Sequence, residues 1–436
     1  MWSGSAGKDD GNRGRMAEND GATSFDGGPA GKLRGPYLLA TPIPVKRTGD
    51  GWAASQLWAK DLLLHTPYIE DFVLAAPVAE ELSAAEPVVA IPASGPSARL
   101  RVVPLPPMRS VLGTLMRMPV ILARLWREIG KARIVHCGIG GWPIPFGWVV
   151  APMARMRGKF LVIIVESAAW RSIPEGETGL RRFQLAFKRS VYELLGRWCV
   201  RRADAAFYTH SEYQASFPPR HPSPENVLRA SWIDEGDILT DEQAAESWRE
   251  KAAAGPLRLA FAGRLTEAKG LLLLLDAVRD VRERGVPVEL DIYGFGELES
   301  SCRAAARPGS GIRFRGTVPY GPEFFAAIRG YDAVMVPSLS DEQPRIVFDA
   351  FSQAVPILAS ATMGHRECVA DGINGRLFAV NDARAIAQCI ERAAADRGSL
   401  SRLGTAGLAA ARTNTHQAMH RRRFELIQRA LRSAGR

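Results

Sequence analysis

The sequence predicts an α/β protein with two Rossmann-like, doubly wound lobes that face a central cleft. Short apolar runs alternate with longer segments whose apolar residues recur at helical spacing. This alternation is typical of βαβ units, which build a parallel sheet. It stops in a polar stretch near the middle of the chain and restarts at Leu257. The restart predicts a second lobe of similar size.

The composition divides the 436 residues into four regions. Residues 1–35 are rich in Gly, Asp, Asn and Ser and are predicted to be a disordered tail. Residues 36–250 form the predicted first lobe and residues 251–415 the second. The polar residues 236–255 suit a linker region between them. Residues 416–436 are basic, are predicted to be helical and can pack back on the first lobe.

In the first lobe, short apolar runs predict strands at 37–41, 72–76, 100–105, 134–137, 160–165 and 203–209. Helical spacing predicts helices at 52–64, 111–129, 146–156 and 183–200. A loop with Gly49 and Gly51 follows the first strand. Pro119 is a candidate for a kink in the second helix, because proline removes a backbone donor.

In the second lobe, strands are predicted at 257–263, 288–293, 311–316, 333–337 and 356–360. Helices are predicted at 271–284, 322–329, 345–354 and 383–394. Ligands of open α/β sheets bind outside the carboxyl ends of the strands, so we expect the cleft to hold the substrates.

The formal net charge of +10 favours anionic partners such as phosphorylated ligands or anionic lipid. No nucleic-acid-binding motif accompanies it, so we expect no nucleic-acid partner. The five cysteines are widely spaced, which favours a reducing compartment. No apolar run reaches the length of a bilayer span, and the first residues lack a signal-peptide pattern. The expected location is the cytoplasm, including the inner face of the cell membrane.

The sharpest signal is the stretch 261–271, Phe-Ala-Gly-Arg-Leu-Thr-Glu-Ala-Lys-Gly-Leu. A strand leads to Gly263 and directly to Arg264, and Lys269 follows just before a predicted helix. Two cations beside a helix N-terminus suit a diphosphate, because backbone N–H groups and a guanidinium can both bind its oxygens. A surface turn with solvated basic residues is the competing interpretation.

Two acids in the stretch 337–351 form the second signal. Asp341 follows a predicted strand, and Asp349 lies eight residues later on the next helix. A carboxylate placed there can accept hydrogen bonds from the two hydroxyls of a ribose. Arg345, between the two acids, is a further candidate for donor binding. The competing interpretation of Asp349 is an exposed acid that complements the helix dipole.

In order and spacing, these motifs resemble the second lobe of the family 4 glycosyltransferases, group 1, which have the GT-B fold. The resemblance covers about Leu257 to Arg412. The similar stretches are 263–270, 292–298, 314–318, 336–338, Asp341 to Asp349, 354–360 and 371–378.

The resemblance implies roles for individual residues. Arg264 and Lys269 would hold the donor diphosphate, Asp349 the ribose, and Asp341 would contact the donor sugar. The family usually has Glu at both acidic positions, whereas this chain has Asp, and Glu342-Gln343 follow the first. Glu342 is therefore a second candidate for the catalytic role of Asp341. No cofactor and no metal ion are implied, since the sequence has no Asp-X-Asp motif.

The first lobe resembles the family more loosely. Gly49 and Gly51 fall where the family has its first glycine-rich loop. After the strand at 160–165 the family often has His-Asp, but this chain has Glu166-Ser167. Glu166 and His136 are thus acceptor-side candidates. A histidine at the end of a strand is also commonly a packed residue.

Basic residues are interleaved with apolar ones in two parts of the first lobe. They are Arg117, Arg124, Arg127, Lys131 and Arg133, followed by Arg155, Arg157 and Lys159. Such segments can lie on an anionic membrane. The alternative is a helix with its apolar face in the core and its arginines in solvent.

The resemblance implies a retaining transfer of a sugar from a nucleoside-diphosphate sugar to a glycan or polyprenyl-linked acceptor in polysaccharide biosynthesis. Two alternatives remain open at this point. One is a nucleotide-sugar 2-epimerase on the same fold, and the other is a non-catalytic nucleotide-sugar-binding component of a polysaccharide-assembly complex.

Overall fold

The computed structural model describes residues 31–49, 51–82, 87–91, 100–141, 144–171, 178–229, 231–251, 255–339 and 345–436. Residues 1–30 of the predicted disordered tail lie outside these ranges. The last residues of that predicted tail are ordered, because the first strand begins at Leu33, whose side chain is 3% exposed.

A parallel six-stranded sheet forms the centre of the first lobe. A smaller sheet accompanies it. The strands of the two sheets, in the described part of the lobe, are β1 (Leu33–Ala40), β2 (Lys46–Thr48), β3 (Gly51–Ser55), β4 (Ile69–Pro77), β5 (Val88–Ile91), β6 (Leu100–Leu105), β7 (Ile134–Gly138), β8 (Phe160–Val165) and β9 (Ala205–Tyr208). The parallel sheet has the order β6-β4-β1-β7-β8-β9. From β1 the chain adds β4 and β6 on one side of the sheet and then β7, β8 and β9 on the other. The topological switch point, where the strand order reverses, therefore lies between β1 and β7.

The smaller sheet corrects the prediction for the start of the lobe. Strands β2, β3 and β5 pair in antiparallel fashion, and Gly49 lies between β2 and β3 with a φ of 35°. The predicted glycine loop is therefore a β-hairpin turn. The helix predicted from residue 52 begins at Gln56, since Trp52 pairs with Arg47 in the hairpin.

Helices cover both faces of the first sheet. They are α1 (Gln56–His65), α2 (Val111–Lys131), α3 (Phe146–Met156), α4 (Gly179–Arg202) and α5 (Ser211–Ser216). Pro119 lies inside α2. Buried residues of α2, α3 and α4 share one core cluster on one face of the sheet, and α1 packs on the other face.

The second lobe repeats the design. Its strands are β10 (Leu257–Ala262), β11 (Val288–Tyr293), β12 (Ile312–Gly316), β13 (Ala333–Val336), β14 (Ile357–Ser360) and β15 (Gly375–Phe378). They form a parallel sheet of order β12-β11-β10-β13-β14-β15. The helices from the linker onward are α6 (Asp241–Glu250), α7 (Leu271–Glu283), α8 (Glu299–Ala305), α9 (Pro322–Arg329), α10 (Ile346–Ser352), α11 (Met363–Cys368), α12 (Ala383–Ala395), α13 (Arg397–Thr413) and α14 (His416–Ser433). The predicted architecture of two doubly wound lobes is confirmed.

Two connections join the lobes. The predicted linker region contains helix α6, whose Thr240 and Gln243 form a capping box. After α13 the chain returns, and α14 packs on the first lobe: Phe424, Leu426 and Ile427 join the core cluster of β1, β4 and α1. The two connections touch where the His416 backbone N–H donates to the Ile233 carbonyl at 2.9 Å.

No described helix is both long and apolar enough to cross a bilayer.

Candidate functional site

The switch point of the second lobe lies between β10 and β13. From β10 the chain proceeds through β11 and β12 on one side and then crosses to β13 on the other. Loops that leave such neighbouring strands diverge and open a crevice at the carboxyl edge of the sheet. The segment after β10 carries Gly263, Arg264 and Lys269, and the segment after β13 leads to Arg345 and Asp349. The fold therefore brings the two sequence signals to one crevice.

Glycines allow the loops after β10, β11 and β13 to approach one another closely. Gly270 has a φ of 66°, and a Cβ built on it would lie 2.0 Å from the Pro337 carbonyl oxygen. The Leu339 backbone N–H donates to the Ala268 carbonyl at 2.8 Å, so the loops after β10 and β13 are directly joined. Gly294, after β11, packs equally closely on Gly263, whose carbonyl oxygen would lie 1.8 Å from a Cβ.

Arg264 and Lys269 surround the start of α7. Arg264 is exposed and Lys269 is half-buried, at the end of a short 3-10 turn that precedes the helix. The first N–H groups of α7 and the positive end of its dipole point toward the same region. An anion bound there can meet two side-chain cations and backbone donors together.

Asp349 lies deeper in the crevice, in the first turn of α10. Its side chain is 5% exposed, and its Oδ1 accepts a hydrogen bond from the Tyr320 hydroxyl at 2.9 Å. Burial raises the pKa of Asp349 to about 7, although the Tyr320 hydrogen bond and the nearby Arg345 charge oppose the shift. The alternative of an exposed dipole-complementing acid is therefore wrong for Asp349.

Arg345 stands at the N-terminus of α10 and is exposed. Its guanidinium carbon lies 5.1 Å from the ring centre of Trp232, in the segment that connects the lobes. Asp341 and Glu342, the two candidates for the catalytic acid, lie outside the described residues.

The first lobe faces this crevice with Glu166, which follows β8 and is exposed. Desolvation by the surrounding protein and the negative charge of Asp61 raise the pKa of Glu166, and Arg423 and Arg345 oppose this. Arg345 thus acts on Glu166 from the other lobe. Farther along the cleft, the Ser211 backbone N–H donates to the Glu367 carboxylate at 2.8 Å and joins α5 to α11.

Three acceptor-side candidates differ from Glu166 in their surroundings. Gly49 and Gly51 belong to the hairpin, and a Cβ on Gly49 would meet no atom within 4 Å. His136 is 2% exposed, and its Nδ1 is hydrogen-bonded to the Tyr37 hydroxyl at 2.9 Å. The structure places His136 in the core as a packed residue.

Sequence reasoning missed a buried polar cluster between α1 and α14. One carboxylate oxygen of Asp61 accepts hydrogen bonds from Nε2 of His416 at 3.0 Å and of His420 at 3.1 Å. Arg423 donates to Nε2 of His65 at 3.1 Å. No local signal could reveal the cluster, because Asp61 and His420 are 359 positions apart.

Charge and burial define the state of this cluster. The hydrogen bonds from His416 and His420 hold the pKa of Asp61 well below its usual value despite burial. Burial lowers the pKa of His420 to about 3 and that of His65 well below its usual value. Ligand atoms of Asp61, His65 and His420 lie within 4.8 Å of one another, but the Arg423 guanidinium already supplies the cation. We interpret the cluster as structural.

The basic segments of the first lobe are largely engaged within the protein. The Glu128 carboxylate, 2% exposed, pairs with Arg101, Arg127 and Lys131 at 2.7–3.1 Å. The remaining contacts are Arg124 with the Pro104 carbonyl, Arg155 with Asp204, Arg157 with the Trp126 ring and Lys159 with the Gly130 carbonyl. These cations stabilise the lobe, and this supports the structural alternative for them.

Comparison with known proteins shows which family the second lobe resembles. Residues 256–396 match the family described as glycosyl transferases group 1. Glycogen synthase of Thermus thermophilus is 34% identical over 160 residues, which cover 36% of this chain and 36% of that protein. The amylovoran biosynthesis glycosyltransferase AmsK of Erwinia amylovora is 26% identical over 185 residues, or 40% of this chain and 45% of AmsK. The matches thus span less than half the length of these relatives.

Solved structures extend the likeness to both lobes. Anabaena HepE in complex with UDP has a TM-score of 0.61 at 14% identity and covers 91% of this chain and 100% of its own. Sucrose-phosphate synthase of Thermosynechococcus elongatus has a TM-score of 0.65 at 15% identity and covers 92% and 100%. At such identities the likeness shows the fold alone. Residues 256–396 of the second lobe are therefore similar to the group 1 glycosyltransferases, and the two lobes together have the GT-B fold.

Proposed function

We propose that this chain transfers a sugar from a nucleoside-diphosphate sugar to a glycan or lipid-linked glycan in polysaccharide biosynthesis, with retention of configuration. The observation that carries the proposal is the crevice between β10 and β13. There Arg264 and Lys269 come just before the N-terminus of α7. Arg345 stands at the N-terminus of α10, whose first turn carries the buried Asp349.

The donor occupies the crevice in a definite direction. Arg264, Lys269 and the first N–H groups of α7 bind the diphosphate. Asp349 accepts hydrogen bonds from the ribose hydroxyls, and Tyr320 positions its carboxylate. The sugar then extends past Leu339 toward Glu166 of the first lobe. Asp341 and Glu342 remain the two candidates for the catalytic acid.

During transfer, the bond between the sugar's anomeric carbon and the diphosphate oxygen breaks. The acceptor hydroxyl oxygen bonds to that carbon, and the hydroxyl proton passes to the leaving diphosphate. Negative charge grows on the leaving diphosphate, and preorganised cations stabilise it as it develops. Three cationic side chains supply this charge, so the proposal needs neither a metal ion nor another cofactor. The lobes exclude water from the donor when they close.

The relatives support both halves of the proposal. HepE was solved in complex with UDP, which supports a nucleotide donor in this fold. AmsK is described as an amylovoran biosynthesis glycosyltransferase, which supports an exopolysaccharide pathway. A lipid-linked acceptor would place the protein in the cytoplasm at the inner face of the membrane.

The test is binding and turnover in variants of the two cations. Arg264→Ala and Lys269→Ala should each weaken UDP binding about 10- to 100-fold, because each loses a charge-assisted hydrogen bond. They should also abolish transfer from the UDP-sugar. Arg279→Ala is the matched control, since Arg279 is an exposed arginine farther along α7 that pairs with Asp276.

Binding is measured by thermal shift against UDP, GDP and ADP, because a ligand selective for the folded state raises its stability. Full binding and activity in either cation variant would refute the site. A wild-type protein that none of the three nucleotides stabilises would refute the proposal itself.

A further inference from the structure

Helix α4 is much longer than the sheet it packs on. It has 24 residues, or roughly 36 Å at 1.5 Å per residue, whereas the preceding strand β8 has 6 residues and spans roughly 20 Å. Only its C-terminal part reaches the core, through Gly196, Cys199 and Val200. The N-terminal half therefore projects beyond the sheet.

The projecting half of α4 exposes large apolar side chains. Leu180 is 73% exposed, Phe183 68% and Phe187 64%. These residues recur at three- and four-residue intervals, so they lie along one stripe of the helix. Two exposed phenylalanines on one stripe are uncommon on a soluble surface and indicate a partner.

The N-terminal half of α2 has the same character. Leu112 is 71% exposed and Met116 76%, and Leu115 lies between them at 51%. The C-terminal half of α2 instead buries Ile121, Leu125 and Ile129 in the core.

Charge distinguishes both segments from the rest of the surface. Residues 111–127 and 179–192 contain no Asp or Glu. Exposed basic residues stand among the apolar ones: Arg117 on α2 and Arg181, Arg182, Lys188 and Arg189 on α4. A helix with apolar and basic residues and without acids is typical of segments that lie on anionic membranes.

The fold places both segments on the acceptor side of the cleft. α2 and α4 each follow a parallel strand and pack with α3 on one face of the sheet. The N-terminus of such a helix lies at the carboxyl edge of the sheet, which is the edge that faces the cleft.

We propose that residues 111–120 of α2 and 180–192 of α4 form a docking surface for an anionic lipid bilayer. The phenylalanines and leucines enter the interface, and the cations bind lipid phosphates. The orientation rests on the proposed function, since it brings a lipid-linked acceptor to the cleft from the membrane. A second copy of the chain fits this surface poorly, because a two-fold interface would place the same cations against each other.

Vesicle binding by the full chain tests the docking surface. Wild-type protein should co-sediment with vesicles of phosphatidylcholine mixed with phosphatidylglycerol and far less with phosphatidylcholine alone. Phe183→Ser/Phe187→Ser should reduce partitioning at least tenfold, because two buried aromatic side chains are lost. Lys188→Glu/Arg189→Glu should reduce it at least as much, since each cation lost near an anionic surface costs about fivefold.

Matched controls come from the second lobe. Ile373→Ser removes an apolar side chain that is 63% exposed, and Arg402→Glu reverses an exposed cation. Both should bind vesicles as the wild type does. UDP binding should be unchanged in all four variants, and this also shows that they are folded.

Three results would overturn the docking surface: no binding of wild type to the anionic vesicles, equal binding by the α4 variants, or a wild-type dimer that Phe183→Ser/Phe187→Ser dissociates. Sedimentation velocity without vesicles detects the dimer. If the wild type bound no nucleotide, the proposed function would be refuted. The docking surface would not be affected by that result, because vesicle binding is measured without nucleotide.

Discussion

The two lobes have the same doubly wound sheet but use their switch points in opposite ways. In the second lobe, the segments that follow β10 and β13 carry the exposed side chains of Arg264 and Arg345. In the first lobe, Tyr37 of β1 and His136 of β7 are buried and hydrogen-bonded to each other. The same architecture thus provides the proposed ligand site in one lobe and a sealed polar core in the other.

The difference comes from the returning helix α14. It brings His416, His420 and Arg423 onto the face of the first sheet and surrounds Asp61. Polar groups buried this way stabilise a fold only while every partner is present. We therefore expect changes in the first lobe's cluster to affect stability, and changes in the second lobe's crevice to affect binding and turnover.

The largest expected effect is on turnover. Either Asp341→Asn or Glu342→Gln should lower kcat about 10²- to 10⁴-fold, as expected when a group acting on the reacting centre is lost. UDP affinity should change less than threefold in both variants. The comparison of the two kcat values decides which acid acts at the sugar. Wild-type turnover in both variants would contradict the assignment of either one.

Next in size is the loss of the carboxylate at the centre of the first lobe's cluster. Asp61→Ala should lower the free energy of unfolding by at least about 3 kcal/mol, because Arg423 is left buried without its counter-charge. Chemical denaturation measures this value. Asp280→Ala is the control, since Asp280 is exposed and its pair with Arg284 contributes about 1 kcal/mol or less. Equal losses in the two variants would show that the Asp61 cluster contributes no special stability.

The third prediction is a loss of stability between pH 7 and 5.5. Burial lowers the pKa values of His65, His136 and His420, so below 6.5 the unfolded chain takes up protons that the folded chain does not. Each imidazole then lowers the free energy of unfolding by about 1.4 kcal/mol per pH unit. Asp349, with its raised pKa, takes up a proton in the folded state, and this restores about 2 kcal/mol of that free energy. The net loss of stability is therefore about 2 kcal/mol.

A variant separates the two contributions. Asp349→Asn removes the offset from the second lobe, so its stability should fall more steeply with acid than that of the wild type. Denaturation curves at pH 7, 6.5, 6 and 5.5 provide the slopes. A shallower slope in Asp349→Asn would contradict the raised pKa of Asp349.

The smallest effect concerns the ribose contact. Because an ionised Asp349 accepts hydrogen bonds best, UDP affinity should fall up to tenfold as the pH drops from 7 to 6. Asp349→Asn should bind UDP about tenfold more weakly than wild type at pH 8 and show no such pH dependence. Tyr320→Phe, which removes the hydroxyl that positions the carboxylate, should weaken binding about threefold. Calorimetric titration measures all three, and an unchanged pH profile in Asp349→Asn would exclude Asp349 from the donor site.

Much of the fold followed from local pattern. The predicted bounds 100–105, 146–156, 160–165, 288–293 and 322–329 coincide with β6, α3, β8, β11 and α9. These elements have regular periods of apolar residues, which depend only on near neighbours in the chain. The antiparallel β2-β3-β5 sheet escaped prediction, because its strands are short and pair across distant segments.

The position of the proposed donor site could be predicted from the sequence. Gly263, Arg264 and Lys269 are local to one strand end, and the repeated βαβ pattern places that end at the carboxyl edge where ligands bind. Only tertiary packing buries Asp349 against Tyr320 and sets which residues surround Asp61. It also brings most cations of the two basic segments into contact with Glu128 and other internal partners. Those contacts join groups that are far apart in the chain. The pKa values of these groups depend on burial, and burial arises only when the lobes have packed.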